Sequence, residues 1–562
     1  MLISYPQRGW LELRATHGED WLLAPDEVLL FNSIPGCAAT DTTLRLPYTV
    51  RDVTEVAFWL GEYSIDYPRW GGYQDGVQVD STLGLYPHQE SGVQFLTEYG
   101  GGLLCDEMGL GKSRTAAVAA QLQAGDKPTL IIGPKFTRSV WRAELAQLGY
   151  LHADESNYIE IAGRDASAAT AKLYQQKFHA AKAKGKRVWV FIHFDVLAAW
   201  QGIIYGWGFG QVILDEAHYV REGRTTRSKA VAAVMGCAPF RVALTGTPLV
   251  NRPSELWHLL TLVRGPGTWG YPGSFRQRYC GAQRDGYGLQ DGEPTHIPEL
   301  QERLQRTYLR RSVNDVGGMV PFSRQALTAE LGPQEDAYDL AVSQIDLRTL
   351  TEALLSGSIG QNTLVQLGQL RKLTSKAKMP VTVSYVQDLL AAGESVVVFV
   401  HERATARALA NKIDHPFDAI CVVTGELAEE DRAEQVANFQ RNAATRPIAL
   451  VATYGALGVG VTLTAARFVV MHDLEWTFAA MLQAEKRVHR LSSARGAVQS
   501  TWVLADQTID QILAKILLRK AAYLSQILGQ EEAAEAAADL NLTDLAGEDR
   551  FVADMLAWAA TL

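Results

Sequence analysis

Leu103–Leu104–Cys105–Asp106–Glu107–Met108–Gly109–Leu110–Gly111–Lys112–Ser113 joins an apolar run to a glycine-rich segment. An apolar strand enters a glycine-rich loop that closes on Gly-Lys-Ser, and Thr115 to Ala120 continue as a helix. Gly109 and Gly111 let backbone N–H groups close around phosphate oxygens. Lys112 brings positive charge to the β- and γ-phosphates, and Ser113 offers a hydroxyl to Mg²⁺. The helix that follows adds the positive end of its dipole. The generic form of such a loop begins with glycine, whereas this chain has Asp106 there.

About a hundred residues on, Val212–Ile213–Leu214 delivers Asp215–Glu216–Ala217–His218. Polar residues at the C-terminal end of a buried strand stand where open α/β sheets hold ligands. Asp215 is placed to hold Mg²⁺, Glu216 to orient and activate a water, and His218 to link the site to neighbouring segments. Leu244–Thr245–Gly246–Thr247–Pro248 follows a third apolar run, and its hydroxyls are suited to sensing nucleotide state.

Working outward, apolar runs alternate with helical stretches. Thr129–Ile132 and Val188–Ile192 precede a mostly helical, loop-rich region at about 250–378. Ser395–Val400, Ile448–Val451 and Phe468–Met471 then resume the pattern. Alternation of this kind predicts βαβ units with parallel sheets, hence two α/β blocks. The divisions expected are an N-terminal module over 1–80, a first lobe over 81–250, a helical insertion and linker over 251–378, a second lobe over 379–525, and a helical, acidic tail over 526–562. Trp10–Arg14 alternates like a strand, which makes the first module β-containing.

The 562 residues suit about three to four domains. With 47% hydrophobic and 20% charged residues, the chain is ordinary globular protein rather than collagenous, mucin-like or disordered. No apolar run reaches the ~18 residues of a membrane span, and the start does not read as a secretory signal. Five scattered cysteines lack the spacing of a zinc or redox site, so the expectation is an intracellular chain, in cytoplasm, nucleoid or nucleus. The formal charge of −9 argues against a basic coat but leaves room for a local basic groove.

The ordered set resembles a superfamily-two helicase motor of the Swi/Snf branch. The resemblance spans roughly 83–525 and includes Asp106 to Lys112, Asp215–Glu216–Ala217–His218, and Thr245–Gly246–Thr247–Pro248 followed by Asn251 and Glu255–Leu256. Leu85–Tyr86–Pro87–His88–Gln89 is similar to the family's opening motif, and Pro134–Lys135 with Trp141 and Glu144 to its first DNA-contact motif. In the second block the matching segments are Thr424–Gly425 with Arg432 and Phe439, Thr453 to Leu463, Gln483 to Arg490, and Thr508–Ile509–Asp510. Leu491–Ser492–Ser493 and Thr477–Phe478 depart from the usual pattern.

The resemblance implies two RecA-like parallel-sheet lobes with helical insertions, plus the small N-terminal module. It implies ATP and Mg²⁺ as ligands. Gln89 would read adenine with Tyr86 nearby on the base, Gly460 would join the nucleotide-binding set, and Arg487 and Arg490 would stabilise γ-phosphate charge when the lobes close. An arginine finger of this kind contributes ~10³–10⁵ in rate in NTPases. Ser33–Ile34–Pro35–Gly36, Leu44–Arg45–Leu46–Pro47 and Val50 to Leu60 look similar to the substrate-recognition module of HARP-like annealing helicases, without the Trp usual near Leu44.

Basic clusters at Lys182–Arg187, Arg221–Lys229, Arg303–Arg311, Arg371–Lys378 and Lys486–Arg495 offer phosphate contacts that would be sequence-independent and salt-sensitive. The reading is a monomeric DNA-dependent ATPase that moves on double-stranded or branched DNA. A protein partner would dock on the N-terminal module or the tail. Two other readings stay open: a strand-separating DNA or RNA helicase, and a motor or adaptor serving a protein partner.

Overall fold

The computed structural model describes residues 80–540 outside 124–125, 249–253, 266–267, 286–287, 293, 317–319, 345–360, 415–419, 444, 458–460, 491–495 and 529–531. Before residue 80 it describes four strands, Leu2–Ser4, Trp10–Arg14, Ala38–Ala39 and Thr43–Pro47, which form an antiparallel sheet. Trp10–Arg14 is thus a strand, as its alternation predicts. Ser33–Gly36 and Val50–Leu60 lie outside the described residues.

The first lobe is built on a seven-stranded sheet in the order Tyr308–Leu309, Gly101–Leu104, Phe240–Leu244, Gln211–Leu214, Thr129–Gly133, Trp189–His193 and Tyr158–Ile161. Every pairing in it is parallel. Its middle strands are buried along their whole length, as a sheet covered by helices on both faces requires. Leu103, Leu130, Ile132, Val212 and Leu214 pack towards one helical layer. Leu104, Ile131, Ile213, Val242 and Leu244 pack towards the other. Alternation along each strand assigns successive residues to opposite layers.

The second lobe has six parallel strands in the order Phe322–Ala329, Val498–Ala505, Phe468–Met471, Val396–Val400, Ala449–Thr453 and Ile420–Val423. The Val-rich run Val396–Val400 sits inside it, wholly buried. The stretch 251–378, expected to be mostly helical, also carries strands. Tyr308–Leu309 completes the first sheet, and Phe322–Ala329 pairs along its full length with Val498–Ala505 in the second. Both are edge strands, so their sequences need not be continuously apolar. Among the described residues no helix is long and apolar enough to cross a membrane.

Candidate active site

The C-terminal ends of Gly101–Leu104, Gln211–Leu214 and Phe240–Leu244 are neighbours in the first sheet, so the three polar segments that follow them converge. The phosphate loop turns sharply, with Gly109 at φ 91° and Gly111 at φ 79°. The positive φ of Gly111 favours glycine there, and a Cβ would stand 2.1 Å from Gln89 Nε2, so that side chain would have to move. Lys112 opens the helix Lys112–Leu122, and Ser113 lies in its first turn. The Lys112 ammonium is folded over its own loop, donating to the carbonyls of Asp106 (2.7 Å) and Glu107 (3.2 Å). Burial lowers the Lys112 pKa, while Glu216, Asp106 and Asp215 oppose that shift.

Asp215 and Glu216 face this lysine from the adjacent strand end. Trp141 donates its indole N–H to Asp215 Oδ2 at 2.8 Å. Burial, reinforced by the Glu216 charge, pushes the Asp215 carboxyl up to about 6. Glu216 sits in the left-handed region at φ 50°, a strained backbone for a non-glycine residue and one found preferentially at functional sites. Burial would raise the Glu216 pKa, but His218, Lys112 and Arg487 hold it below the usual value. His218 Nδ1 lies 3.2 Å from Glu216 Oε2 and 3.3 Å from Thr245 Oγ1. It therefore links the second and third segments, as expected for that residue.

The second lobe reaches this site through the helix Phe478–Val488 and the residues after it. Lys486 forms an ion pair with Glu107 of the phosphate loop, and Gln483 Nε2 donates to Thr247 Oγ1 at 3.4 Å. Arg487 is buried close enough to Glu216 to feel its charge. Burial, together with the neighbouring Arg490, lowers its pKa to about 10. Arg490 donates to Thr462 Oγ1 (3.0 Å) and the Val461 carbonyl (3.2 Å). A Cβ on Gly109 would stand 3.8 Å from Arg490 Cγ. The structure thus brings Lys112, Ser113, Asp215, Glu216, Arg487 and Arg490 around one cleft. Gly460 lies outside the described residues.

Gln89 is beside the loop, but both ends of its amide are engaged. Oε1 accepts the Tyr86 N–H (3.1 Å) and Nε2 donates to the Leu110 carbonyl (3.2 Å), so the residue caps its helix and braces the loop. Tyr86 is exposed and stacks on His88. In the segment that resembles the first DNA-contact motif, Trp141 and Glu144 are engaged within the first lobe. Trp141 is fully buried beneath Asp215, and Glu144 pairs with Arg114 on the phosphate-loop helix. Several residues of the basic clusters are likewise committed inside the protein. Arg187 donates to the carbonyls of Ala120 and Gln123, Lys378 is buried between Asp473 and Asp510, and Arg303 stacks on Trp269.

Arg311 is the site residue that motif spacing did not disclose. Its guanidinium forks onto Asp106, with Nε donating to Oδ1 at 2.9 Å, and also donates to the His88 carbonyl. Asp106, which stands at the generic first-glycine position, is buried, and the arginine that neutralises it lies 205 residues away in sequence. Removing one partner of such a pair leaves an uncompensated buried charge, at a cost of about 3–5 kcal/mol. Chemical unfolding of Arg311→Ala should show a loss of that size; a loss below ~1 kcal/mol would mean that the pair is solvated.

Asp215 has the opposite signature, a site residue that strains the fold. A carboxylate whose folded pKa is raised to about 6 disfavours the folded state fully above that pH. The penalty shrinks as pH falls towards the unfolded value and is gone below it. Asp215→Asn should therefore stabilise the ligand-free chain at pH 7 by on the order of 1–3 kcal/mol, and that gain should fade between pH 6 and pH 4. A gain independent of pH, or no gain, in thermal unfolding would contradict the assigned environment.

The fold and the cleft define the class: a two-lobed, parallel-sheet protein of the phosphate-loop type. Residues 88–379 match the SNF2-related domain and residues 381–492 the helicase conserved C-terminal domain. The chain belongs to the SNF2-related family. It is similar to the SWI/SNF-related matrix-associated actin-dependent regulator of chromatin subfamily A-like protein 1 of Xenopus tropicalis, with 27% identity over 467 residues covering 82% of this chain and 46% of that protein. It is also similar to the DNA annealing helicase and endonuclease ZRANB3 of Mus musculus, with 27% identity over 469 residues covering 81% of this chain and 42% of that protein. The chain spans less than half the length of these relatives. Among solved structures, the Sulfolobus solfataricus SWI2/SNF2 ATPase core in complex with dsDNA aligns with 21% identity and a TM-score of 0.35, covering 83% of this chain and 96% of that one.

Proposed function

We propose that the protein hydrolyses ATP at the interlobe cleft and uses the cycle to move on double-stranded DNA, remodelling or reannealing forked and branched substrates. The observation that carries the proposal is the meeting of Lys112, Asp215 and Glu216 from one sheet with Arg487 and Arg490 from the other. Lys112 leaves its loop carbonyls to take the β- and γ-phosphates. Glu216, held ionised by His218, accepts a proton from the attacking water. Arg487 and Arg490 supply charge where it develops on the transferred phosphoryl group. Ser113 and Asp215 are oxygen donors suited to Mg²⁺, and a cation there would relieve the unfavourable burial of the Asp215 carboxylate. Bound Mg²⁺ would supply Lewis-acid neutralisation of the phosphate oxygens.

The Gln483–Thr247 and Lys486–Glu107 contacts tie lobe closure to the cleft, so opening and closing can ratchet the lobes along one strand. The annealing part of the proposal follows the printed name of one relative, the DNA annealing helicase and endonuclease ZRANB3. The test is ATP turnover on duplex, single-stranded, forked and four-way DNA and on duplex RNA, alongside reannealing and strand-displacement assays. Stimulation by duplex or branched DNA with reannealing supports the proposal. Stimulation only by single strands or RNA, with displacement, would favour an unwinding helicase. Turnover indifferent to every nucleic acid would favour a motor acting on a protein.

A further inference from the structure

Three ion pairs stand in sequence-adjacent positions, one within each lobe and one across the cleft. Asp106 and its neighbour Glu107 lie in the phosphate loop, and Glu485 and its neighbour Lys486 lie in the helix that carries Arg487 and precedes Arg490. Arg311 forks onto Asp106, Glu107 pairs with Lys486, and Arg324 forks onto Glu485. In the last pair Nε donates to Oε1 at 3.1 Å and Nη2 to Oε2 at 2.8 Å, with the two side chains only 3% and 0% exposed. Trp502 adds an indole N–H to Glu485 Oε1 at 3.2 Å.

The two arginines flank the passage of the chain from one lobe to the other. Arg311 follows Tyr308–Leu309, the strand that completes the first sheet, and Arg324 lies in Phe322–Ala329, the first strand in sequence of the second. Phe322 packs on His489 and beneath Lys486, so the same strand supports the helix end from below. We infer that these six residues form a charge-paired chain that positions the arginine-bearing helix against the phosphate loop, with Glu107–Lys486 as its interlobe bond and Arg311 and Arg324 as its anchors.

The inference rests on reading the cleft as a site of ATP hydrolysis, and it assigns positioning rather than catalytic roles. Arg311–Asp106 fixes the loop six residues before Lys112. Arg324–Glu485 fixes the rotation of the helix on its own sheet, so that the next residue, Lys486, faces the other lobe. Glu107–Lys486 then delivers Arg487 and Arg490 to the cleft. Each pair excludes water from at least one partner, so a lost partner is not replaced by solvation at no cost.

The test uses the full-length chain with Glu107→Gln, Lys486→Met and their combination, and with the exchange pair Glu107→Lys and Lys486→Glu, separately and together. Steady-state ATPase with saturating duplex should show kcat down about tenfold in each neutral single variant, with KM for ATP changed less than ~threefold. The neutral double variant should be no worse than either single variant, because both remove the same bond. The exchanged pair together should recover kcat to within ~threefold of the unmodified chain, which assigns the effect to the bond rather than to either residue alone.

Hydrogen exchange without nucleotide reads the bond independently of catalysis. Amides of Phe478–Val488 should exchange faster in each neutral single variant and no faster still in the double. Neutral effects on kcat and exchange that multiply would overturn the inference, as would a kcat that does not move. If the exchanged chains fail to fold, the neutral cycle decides alone. If the unmodified chain hydrolyses no ATP, the proposed activity fails and the exchange cycle still decides whether the bond orders the helix.

Discussion

Glu216→Gln should abolish turnover while leaving ATP binding intact. The carboxylate is held ionised in a buried site by His218, Lys112 and Arg487, which is the condition for a group that must take a proton from water. An amide of the same shape keeps a hydrogen bond to His218 but has no such basicity. The expected loss in kcat is about 10²–10⁴-fold, with a stable ATP-bound complex accumulating on DNA. Single-turnover hydrolysis and equilibrium nucleotide binding separate the two effects. A rate within a few-fold of the unmodified chain would remove Glu216 from the chemistry and leave its left-handed backbone as local strain alone.

Lys112→Ala should have an effect of similar size through a different step. In the ligand-free cleft the ammonium occupies the loop, on the Asp106 and Glu107 carbonyls, and neutralises Asp215 and Glu216 at a distance. Its removal takes away the charge that receives the β- and γ-phosphates and leaves two buried carboxylates less compensated. Nucleotide affinity should fall about 10²-fold or more, and turnover should collapse at ordinary ATP concentrations, while Arg311–Asp106 still holds the loop. Calorimetric titration and circular dichroism report the two separately. Normal ATP affinity in a folded Lys112→Ala chain would place the phosphates elsewhere.

The sheets were legible where strands are central and apolar. Thr129–Gly133, Gln211–Leu214 and Val396–Val400 are buried on both faces and read as continuous apolar runs. Phe322–Ala329 was not legible, because this edge strand buries only Arg324 and Ala329, and Arg324, Gln325 and Thr328 break any apolar run or regular alternation. Tyr308–Leu309 is only two residues long, and no periodicity can announce it. Within the cleft, Lys112, Asp215 and Glu216 could be read because each chemistry is confined to a few consecutive residues.

Arg311, Arg324 and the role of Trp141 had no local signal. Each acts on a group far away in the chain: Arg311 on Asp106, Arg324 on Glu485 and Trp141 on Asp215. Their partners are defined only once the strands are in register. Family resemblance put Trp141 in the first DNA-contact motif, and its bond to Asp215 appears only in the fold, where the helix Arg138–Gln147 buries the indole beside the residue that follows the strand Gln211–Leu214. Within the basic clusters the internal partners of Arg187, Lys378 and Arg303 were hidden for a related reason: sequence counts charges, whereas the fold decides which are paired.

The central claim is that one ATP site is assembled from both lobes, and Arg490→Ala tests it most directly. Arg490 lies against Gly109 of the phosphate loop yet is anchored to Val461 and Thr462 of the second lobe. The measurement is kcat for ATP at saturating duplex, set beside duplex affinity without nucleotide across a salt series. The prediction is a kcat lowered about 10³-fold or more, with nucleotide-free affinity and its salt slope nearly unchanged. Normal turnover with weakened nucleotide-free DNA binding would contradict it and make the second lobe a DNA clamp rather than half of the site.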